Sequence, residues 1–399
     1  MKMMKEVKHF KALDGARGYA ALIVTIYHAI LHFSLPLIPN VLEPSITDLH
    51  GQAVLEKLIL TFLNGGTAVL LFYVLSGFVL HYSLLAAREL NHKEIGLFVI
   101  RRLFRLYPAI FFCMLVMYTG THFISLFWPN FPVLDAFETM KNALLYKITV
   151  HGPSTSIQIE LLATPFILFM AVIYCRYSVI MALVLWIFSM EAIQQPALTL
   201  HLPNMSSNLF AFMTGMLMAT PEMKIIFQKN YQGSTIVLIL LFALLGRALL
   251  PVAAIPGFFF QVICLAIFIS LIAYGGQSTF VHRFLENKYS QFLGKISYSY
   301  YLLNVAVMWV FVFSPYTLAN TDEFSQSPFF YGFVYAFLIM ALSIPFAYIS
   351  YMYVEKPFIR FGKYLTEQLR QPSLSIREFF FPVKSDIADL NDSIILEKL

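Results

Sequence analysis

Ten long runs of apolar residues constrain this chain more than any other feature of its sequence. A helix that crosses a lipid bilayer needs about 20 mostly apolar residues, and loops containing Pro, Gly and Asn separate the runs. The sixth run is the weakest, because it is short and contains Gly215. The predicted spans are residues 19–38, 67–86, 108–128, 158–174, 178–195, 205–220, 234–251, 257–274, 298–314 and 330–353.

Composition supports the same fold class. Hydrophobic residues make up 59% of the 399 residues, charged residues make up only 12%, and the mean hydropathy is +0.72. A soluble domain averages about 25% charged residues, so this chain has too few charges to cover a water-facing surface. The sequence therefore predicts an all-α polytopic membrane protein with about ten transmembrane helices.

The basic residues predict an orientation in the membrane. Lys and Arg prefer cytoplasmic loops, and with the N-terminus inside, the ten spans place all but four of the 27 basic residues there. The exceptions are Lys57, Lys141, Lys147 and Arg247. We therefore predict cytoplasmic N- and C-termini. Because the basic residues lie in short loops between apolar runs, topology explains the net charge of +5, and no nucleic-acid partner is expected.

The first predicted span carries a histidine, His28, near its centre. Arg17 precedes it by 11 residues, which is close to three helical turns, so both lie on one helix face about 16 Å apart along the axis. A mid-membrane histidine is unfavourable unless it faces protein or a water-filled cavity, and imidazole suits proton transfer. His28 is therefore a catalytic candidate or, alternatively, a packing histidine bonded to a neighbour. His32, one turn further on, is predicted to be structural.

A basic cluster of Arg101, Arg102 and Arg105 precedes Tyr107 and Pro108 at the predicted cytoplasmic start of the third span. Such a cluster anchors a helix at the inner face of a membrane. Guanidinium groups also bind two phosphate oxygens at once. The cluster is thus a topological anchor or a clamp for a phosphorylated substrate.

Further polar residues interrupt the later spans. The pair Ser76-Gly77 permits close approach of two helices. Glu160 is an intramembrane carboxylate that needs a His or Arg partner, and Glu191 and Arg247 are its rivals as functional intramembrane charges. Glu355, at the end of the last span, is predicted to form an interfacial salt bridge.

The three cysteines, Cys113, Cys175 and Cys264, all fall inside apolar runs. They show no spacing typical of metal ligands. We predict that they are small apolar core residues and that the chain has no metal site.

In their order along the chain, these segments resemble the membrane acyltransferase 3 family, the integral-membrane O-acyltransferases that modify bacterial polysaccharides. The resemblance spans about residues 10–365. Its motifs are Leu13-Asp14-Gly15 with Arg17 and His28, Phe72 to Leu80, Arg102 with Arg105, Tyr107 and Pro108, Ser297 to Leu302, and Glu355-Lys356-Pro357.

The resemblance implies a membrane acyltransferase domain over residues 1–365, a short cytoplasmic tail over 366–399, and a place in the bacterial cytoplasmic (inner) membrane. It implies transfer of an acyl group, most often acetyl, from cytoplasmic acyl-CoA. The acceptor would be a hydroxyl of a glycan or glycolipid such as lipopolysaccharide O-antigen or an exopolysaccharide. Acetyl-CoA is then a co-substrate, and no bound cofactor is expected.

The resemblance also implies roles for individual residues. His28 would act as general base on the acceptor hydroxyl, or would itself hold the acyl group for a time; the sequence leaves both routes open. Two positions depart from the family pattern: Thr155 stands where the family often has Trp, and Asn304 where many members have His. The implied catalytic residues are His28, Arg17 and Glu160, and the implied substrate-binding residues are Arg102, Arg105, Asp14, Ser76 and Tyr107.

Two other function classes stay open at the level of sequence. In a proton-coupled secondary transporter, His28, Glu160, Glu191 and Arg247 would form a path for protons or substrate. Transporters often show inverted repeats with broken helices in matching positions, and this sequence shows no such match. The third class is a non-catalytic scaffold that binds lipid or glycan.

Overall fold

The computed structural model describes residues 9–33, 36–86, 90–249, 255–276 and 279–370, without the side chains of residues 33 and 247–249. Every regular element within these ranges is a helix. The helices are α1 (Lys11–Phe33), α2 (Gln52–Phe62), α3 (Gly65–Leu85), α4 (His92–Ser125), α5 (Ala136–Ala143), α6 (Gly152–Leu162), α7 (Thr164–Tyr177), α8 (Val179–Glu191), α9 (Met205–Met218), α10 (Pro221–Phe227), α11 (Gly233–Leu249), α12 (Ile255–Tyr274), α13 (Phe280–Leu285), α14 (Lys288–Val312), α15 (Pro315–Ala319), α16 (Thr321–Gln326), α17 (Pro328–Ser350) and α18 (Lys356–Arg370).

Each of the ten predicted spans overlaps a helix, but ten crossings are not confirmed. In the part of the chain that the structure describes, five helical segments are long and apolar enough to cross a membrane. A sixth is added if α9 and α10, which meet at an angle of 74°, count as one broken span. The prediction counted apolar runs without their helix lengths, and α8, for example, has only 13 residues. The five segments are Gln52–Leu85, Gly152–Tyr177, Ile255–Tyr274, Lys288–Val312 and Pro328–Arg370.

Helix α1 lies at the centre of the bundle, where it packs against α3, α14 and α17. Glycines bring α1 and α14 close together. A Cβ atom added to Gly18 would lie 2.8 Å from the backbone N of Gly294, and one added to Gly294 would lie 2.5 Å from Asp14 O. Further along, Ala29 packs with Met308. The two helices therefore run in the same direction.

Glycines also bring α3 and α9 together. A Cβ on Gly77 would lie 2.2 Å from Phe212 O, and a Cβ on Gly215 would lie 2.0 Å from Val74 O. The structure thus confirms that the Ser76-Gly77 pair permits close helix approach. It also explains Gly215, which made the sixth predicted span look weak: a side chain there would collide with the backbone of α3.

The first and last described residues lie at the same end of the bundle. Gln291, near the start of α14, donates to Lys11 O at the start of α1. Arg370, at the end of α18, pairs with Glu94 at the start of α4. Helix α4 is parallel to α14, because Tyr298 bonds Leu106 O and, further along both helices, Cys113 bonds Leu302 O. The cytoplasmic location of the termini stays a prediction, and residues 1–8 and 371–399 lie outside the described ranges. Helix α18 continues through the predicted domain boundary at 365.

Two of the four basic residues that the predicted topology places outside the cytoplasm have local partners. Lys57 is buried, and its ammonium donates to Leu42 O at 2.5 Å and to Pro44 O at 2.8 Å. Lys141 pairs with Glu138 at 2.6 Å. Carbonyl and carboxylate oxygens therefore balance the positive charges of these two ammonium groups. Among the cysteines, Cys113 and Cys264 are buried as predicted.

The core prediction is wrong for Cys175. This residue lies on an exposed side of α7, which hydropathy alone does not distinguish from a core-facing side.

Candidate functional site

A cavity lies between α1, α3, α4, α6 and α14. It encloses about 1010 Å³ of empty space when counted out to its open mouth. Among the residues that the sequence singles out, Asp14, Arg17, Ser76, Arg105 and Glu160 line it. The other polar residues in its wall are His9, Tyr73, Ser156, Ser297, Tyr298 and Tyr301.

Three contacts fix the guanidinium of Arg17 in the wall of this cavity. Its Nε donates to Ser297 Oγ at 2.9 Å, and its Nη2 donates to Gly294 O at 3.1 Å and lies 3.4 Å from Asp14 Oδ1. The other oxygen of Asp14 lies 2.8 Å from Nε2 of His9. Asp14 is thus a counter-ion that orients Arg17. Part of the guanidinium still faces the cavity, since the Arg17 side chain is 30% exposed.

Glu160 is held at the opposite side of the cavity by two partners. Ser76 Oγ donates to Glu160 Oε1 at 3.0 Å, and Arg102 Nη2 donates to the same oxygen at 3.2 Å and to Glu160 O at 2.7 Å. The sequence predicted an Arg or His partner for this carboxylate, and the structure confirms Arg102 in that position. Arg102 is buried and does not line the cavity. The structure therefore places it behind Glu160, where it holds the carboxylate in the wall.

Arg105 lies one helical turn beyond Arg102 and does line the cavity. Within the described part of the chain it makes no hydrogen bond or ion pair. Arg17, Glu160 and Glu355 lie within electrostatic range of its guanidinium. Glu355 is itself occupied, because it accepts a 2.7 Å hydrogen bond from Ser299. Arg105 therefore offers unused donors toward the cavity, close to a second guanidinium.

Tyr107 stands apart from this group. It does not line the cavity, and its hydroxyl donates to Leu144 O, just after α5, at 3.4 Å. The structure thus places Tyr107 on another side of α4, at a loop contact.

His28 lies on α1, about 16 Å along the helix axis from Arg17. It is absent from the wall of the cavity. On the helix face that Arg17 and His28 share, the intervening Val24 is buried, whereas His28 is exposed. His28 therefore lies on the far side of Val24, outside the wall of the cavity that contains Arg17 and Arg105.

Several cavity residues were missing from the predicted site. Ser297, Tyr298 and Tyr301 lie in the segment from Ser297 to Leu302 that resembles a family motif, but their residue types alone predict no role. Tyr298 donates to Leu106 O, and Tyr301 donates to Ser156 Oγ at 2.9 Å. His9 carried no sequence signal, since its partner Asp14 becomes its neighbour only through the turn that precedes α1.

A family model described as an acyltransferase domain matches residues 10–349. The chain belongs to the acyltransferase 3 family. No curated protein and no solved structure matches the chain.

The match covers every residue that lines the cavity except His9, and all of the predicted catalytic and substrate-binding residues. Together with the apolar helices, it identifies a membrane acyltransferase. His28 and nearly all of the cavity wall therefore belong to the acyltransferase domain.

Proposed function

We propose that this acyltransferase transfers an acetyl group from acetyl-CoA to a hydroxyl of a cell-surface glycan or glycolipid. The observation that carries the donor half is that the guanidinium of Arg105 has no hydrogen-bond or ion-pair partner among the described residues and lies near that of Arg17 in one cavity. An unpartnered cation inside a protein is unfavourable unless a ligand neutralises it. Coenzyme A brings phosphates, which guanidinium groups bind through charge-assisted hydrogen bonds.

The cavity also suits the rest of the donor. Beside the polar groups, its wall contains Leu13, Leu75, Val79 and Ile157, which offer apolar surface to a flexible pantetheine arm. With the predicted orientation, the end of the bundle that carries His9 faces the cytoplasm, where acyl-CoA is made.

His28 supplies the base for the transfer. The acceptor oxygen attacks the thioester carbonyl, forming the new C–O ester bond, and the C–S bond breaks. The hydroxyl proton passes to the imidazole and then to the leaving CoA sulfur, so that CoA leaves as a thiol. General base assistance of this kind contributes about 10²–10⁴ in rate. The exposure of His28 on the side away from the CoA cavity allows the acceptor to approach from the opposite end.

The groups invoked for proton-coupled transport are not gathered in one place. Glu160 is bonded to Ser76 and Arg102, while Glu191 lies outside the wall of the cavity. The side chain of Arg247 lies outside the described residues.

The test measures transfer of labelled acetyl from acetyl-CoA into membrane glycans, with membranes that contain wild-type protein or His28→Ala. We expect at least a 100-fold loss for His28→Ala. His32→Ala, one turn away on the same helix, is the matched control and should stay within about twofold of wild type. Near-normal transfer by His28→Ala would show that His28 is not the general base. Proton-coupled uptake of a solute without CoA release would show that the protein is a transporter and not an acyltransferase.

A further inference from the structure

A packed layer lies between the cavity proposed to bind CoA and His28. The rings of Phe72 in α3 and Tyr301 in α14 meet edge to face, with their centroids 5.5 Å apart, a favourable geometry for an aromatic pair. Both residues are part of the cavity wall. Val24 is buried in the same core cluster that Phe72 packs against. Beyond these three residues, His28 is exposed again.

The depth of the layer follows from helix geometry. Ser297 contacts Arg17, and Tyr301 lies four residues, or about 6 Å, further along the parallel helix α14. His28 lies about 16 Å beyond Arg17.

Helix α3 gives the same depth from the other direction. Gly65 packs against Tyr27, and Phe72 lies seven residues, or about 10 Å, further toward the cavity. The aromatic pair therefore stands between Arg17 and His28.

The pair is anchored on one side only. The Tyr301 hydroxyl donates to Ser156 Oγ at 2.9 Å, which ties the ring to α6. Phe72 has no polar anchor, and it packs against the cluster that contains Ala21, Ile296 and Tyr300. Because Phe72 is only partly buried and has no polar bond, its side chain can change rotamer when a ligand pushes against it.

We propose that Phe72 and Tyr301 set the size limit on the acyl group that this enzyme transfers. This inference rests on the proposed acyl-CoA donor. The thioester must pass the aromatic pair to come within reach of the imidazole, and the gap that the pair can open limits the chain that follows the carbonyl carbon. One methylene that does not fit an apolar site lowers kcat/KM by about 10- to 200-fold. The pair therefore makes the enzyme select acetyl over longer acyl groups.

The experiment compares acetyl-CoA, propionyl-CoA and butyryl-CoA as donors for membranes that contain wild-type, Phe72→Leu or Tyr301→Phe protein. The readout is the ratio of butyryl to acetyl transfer into the glycan fraction. We expect Phe72→Leu to raise this ratio about tenfold or more, by a widened gap. Tyr301→Phe keeps the ring and loses the bond to Ser156, so we expect a smaller rise of about threefold. Phe169→Leu, a substitution on the exposed side of α7, is the control and should leave the ratio unchanged.

The outcomes separate this inference from the function on which it rests. Wild-type membranes that transfer no acyl group from acetyl-CoA overturn the proposed function, and the inference with it. Wild-type transfer of acetyl with the same butyryl-to-acetyl ratio in both variants overturns the size limit alone. If Phe72→Leu does not fold, the ratio for Tyr301→Phe decides. A changed KM for the acceptor with an unchanged donor ratio means that the acceptor, and not the acyl group, crosses the layer, which also overturns the inference.

Discussion

The Nε atom of Arg17 donates a 2.9 Å hydrogen bond to Ser297 Oγ, and this contact joins α1 to α14 across 280 positions of the sequence. It fixes one face of a guanidinium whose other face points into the cavity. The Gly18–Gly294 contact explains how the two helices come close enough for it. The orientation of Arg17 thus depends on a residue in the second half of the chain.

Ser297→Ala is expected to loosen Arg17 without removing its charge. A hydrogen bond to a charged group contributes about 1.5–3 kcal/mol. Because Arg17 keeps Gly294 O and Asp14 as partners, we expect the KM for acetyl-CoA to rise by no more than about tenfold while kcat changes little. Steady-state kinetics in membranes test this, with Ser325→Ala, at an exposed position of α16, as control. An unchanged KM would mean that Ser297 does not position Arg17 for the donor.

Arg105 is expected to increase the affinity for acetyl-CoA while lowering the stability of the folded protein. Arg105→Leu removes a cation that has no hydrogen-bond or ion-pair partner among the residues the structure describes and lies near Arg17, so the thermal midpoint of the purified protein should rise or stay constant. The KM for acetyl-CoA should increase by about 10- to 100-fold, because a charge-assisted contact to a phosphate is lost. Arg105→Lys should recover part of the affinity. The control is Arg176→Ala, at an exposed site on α7; a large fall in thermal midpoint for Arg105→Leu would instead make Arg105 a structural residue.

In contrast to Arg105→Leu, the substitution Arg102→Leu is expected to destabilise the protein. Its guanidinium is buried against Glu160, so Arg102→Leu leaves a carboxylate without its charged partner. Removing one member of a fully buried ion pair costs about 3–5 kcal/mol, and the cost here is smaller because the Glu160 side chain is 26% exposed. We expect a clear fall in thermal midpoint and a loss of activity that follows the loss of folded protein. The double variant Arg102→Leu with Glu160→Gln should recover part of the stability, and a double variant as unstable as the single one would contradict the pairing.

Gly215 should tolerate no side chain. The Cβ of Gly215→Ala would lie 2.0 Å from Val74 O, a backbone atom that moves only if α3 and α9 separate. Overpacking of this kind costs about 1–3 kcal/mol. Gly96→Ala is the matched control, since nothing lies within 4 Å of a Cβ at that position. Equal thermal midpoints for the two variants would show that α3 and α9 pack less closely than the structure indicates.

Hydropathy located the helices but could not count the crossings. The ten predicted segments coincide with helices, because each carries enough apolar residues to be expelled from water. Whether a helix crosses a membrane also depends on its length and on breaks such as the bend between α9 and α10, and those depend on packing partners. Gly215 shows the difference: in the sequence it weakens a span, and in the fold it allows two helices to touch.

For the candidate site, too, some features follow from the sequence and others only from the packed structure. The sequence by itself determined the residue types that can do the chemistry, and helical periodicity placed Arg17 and His28 on one face of one helix. Only the tertiary structure decided that Arg102 supports Glu160, that Arg105 lines the cavity with no ion-pair partner in the described ranges, and that Tyr107 lies elsewhere.

Only the tertiary structure, too, decided that Phe72 and Tyr301 stand between Arg17 and His28. The physical reason is the range of each signal. Periodicity relates residues within one helix, whereas the partners of Arg17, Glu160 and Phe72 come from helices that are distant in sequence and meet only when the bundle has packed.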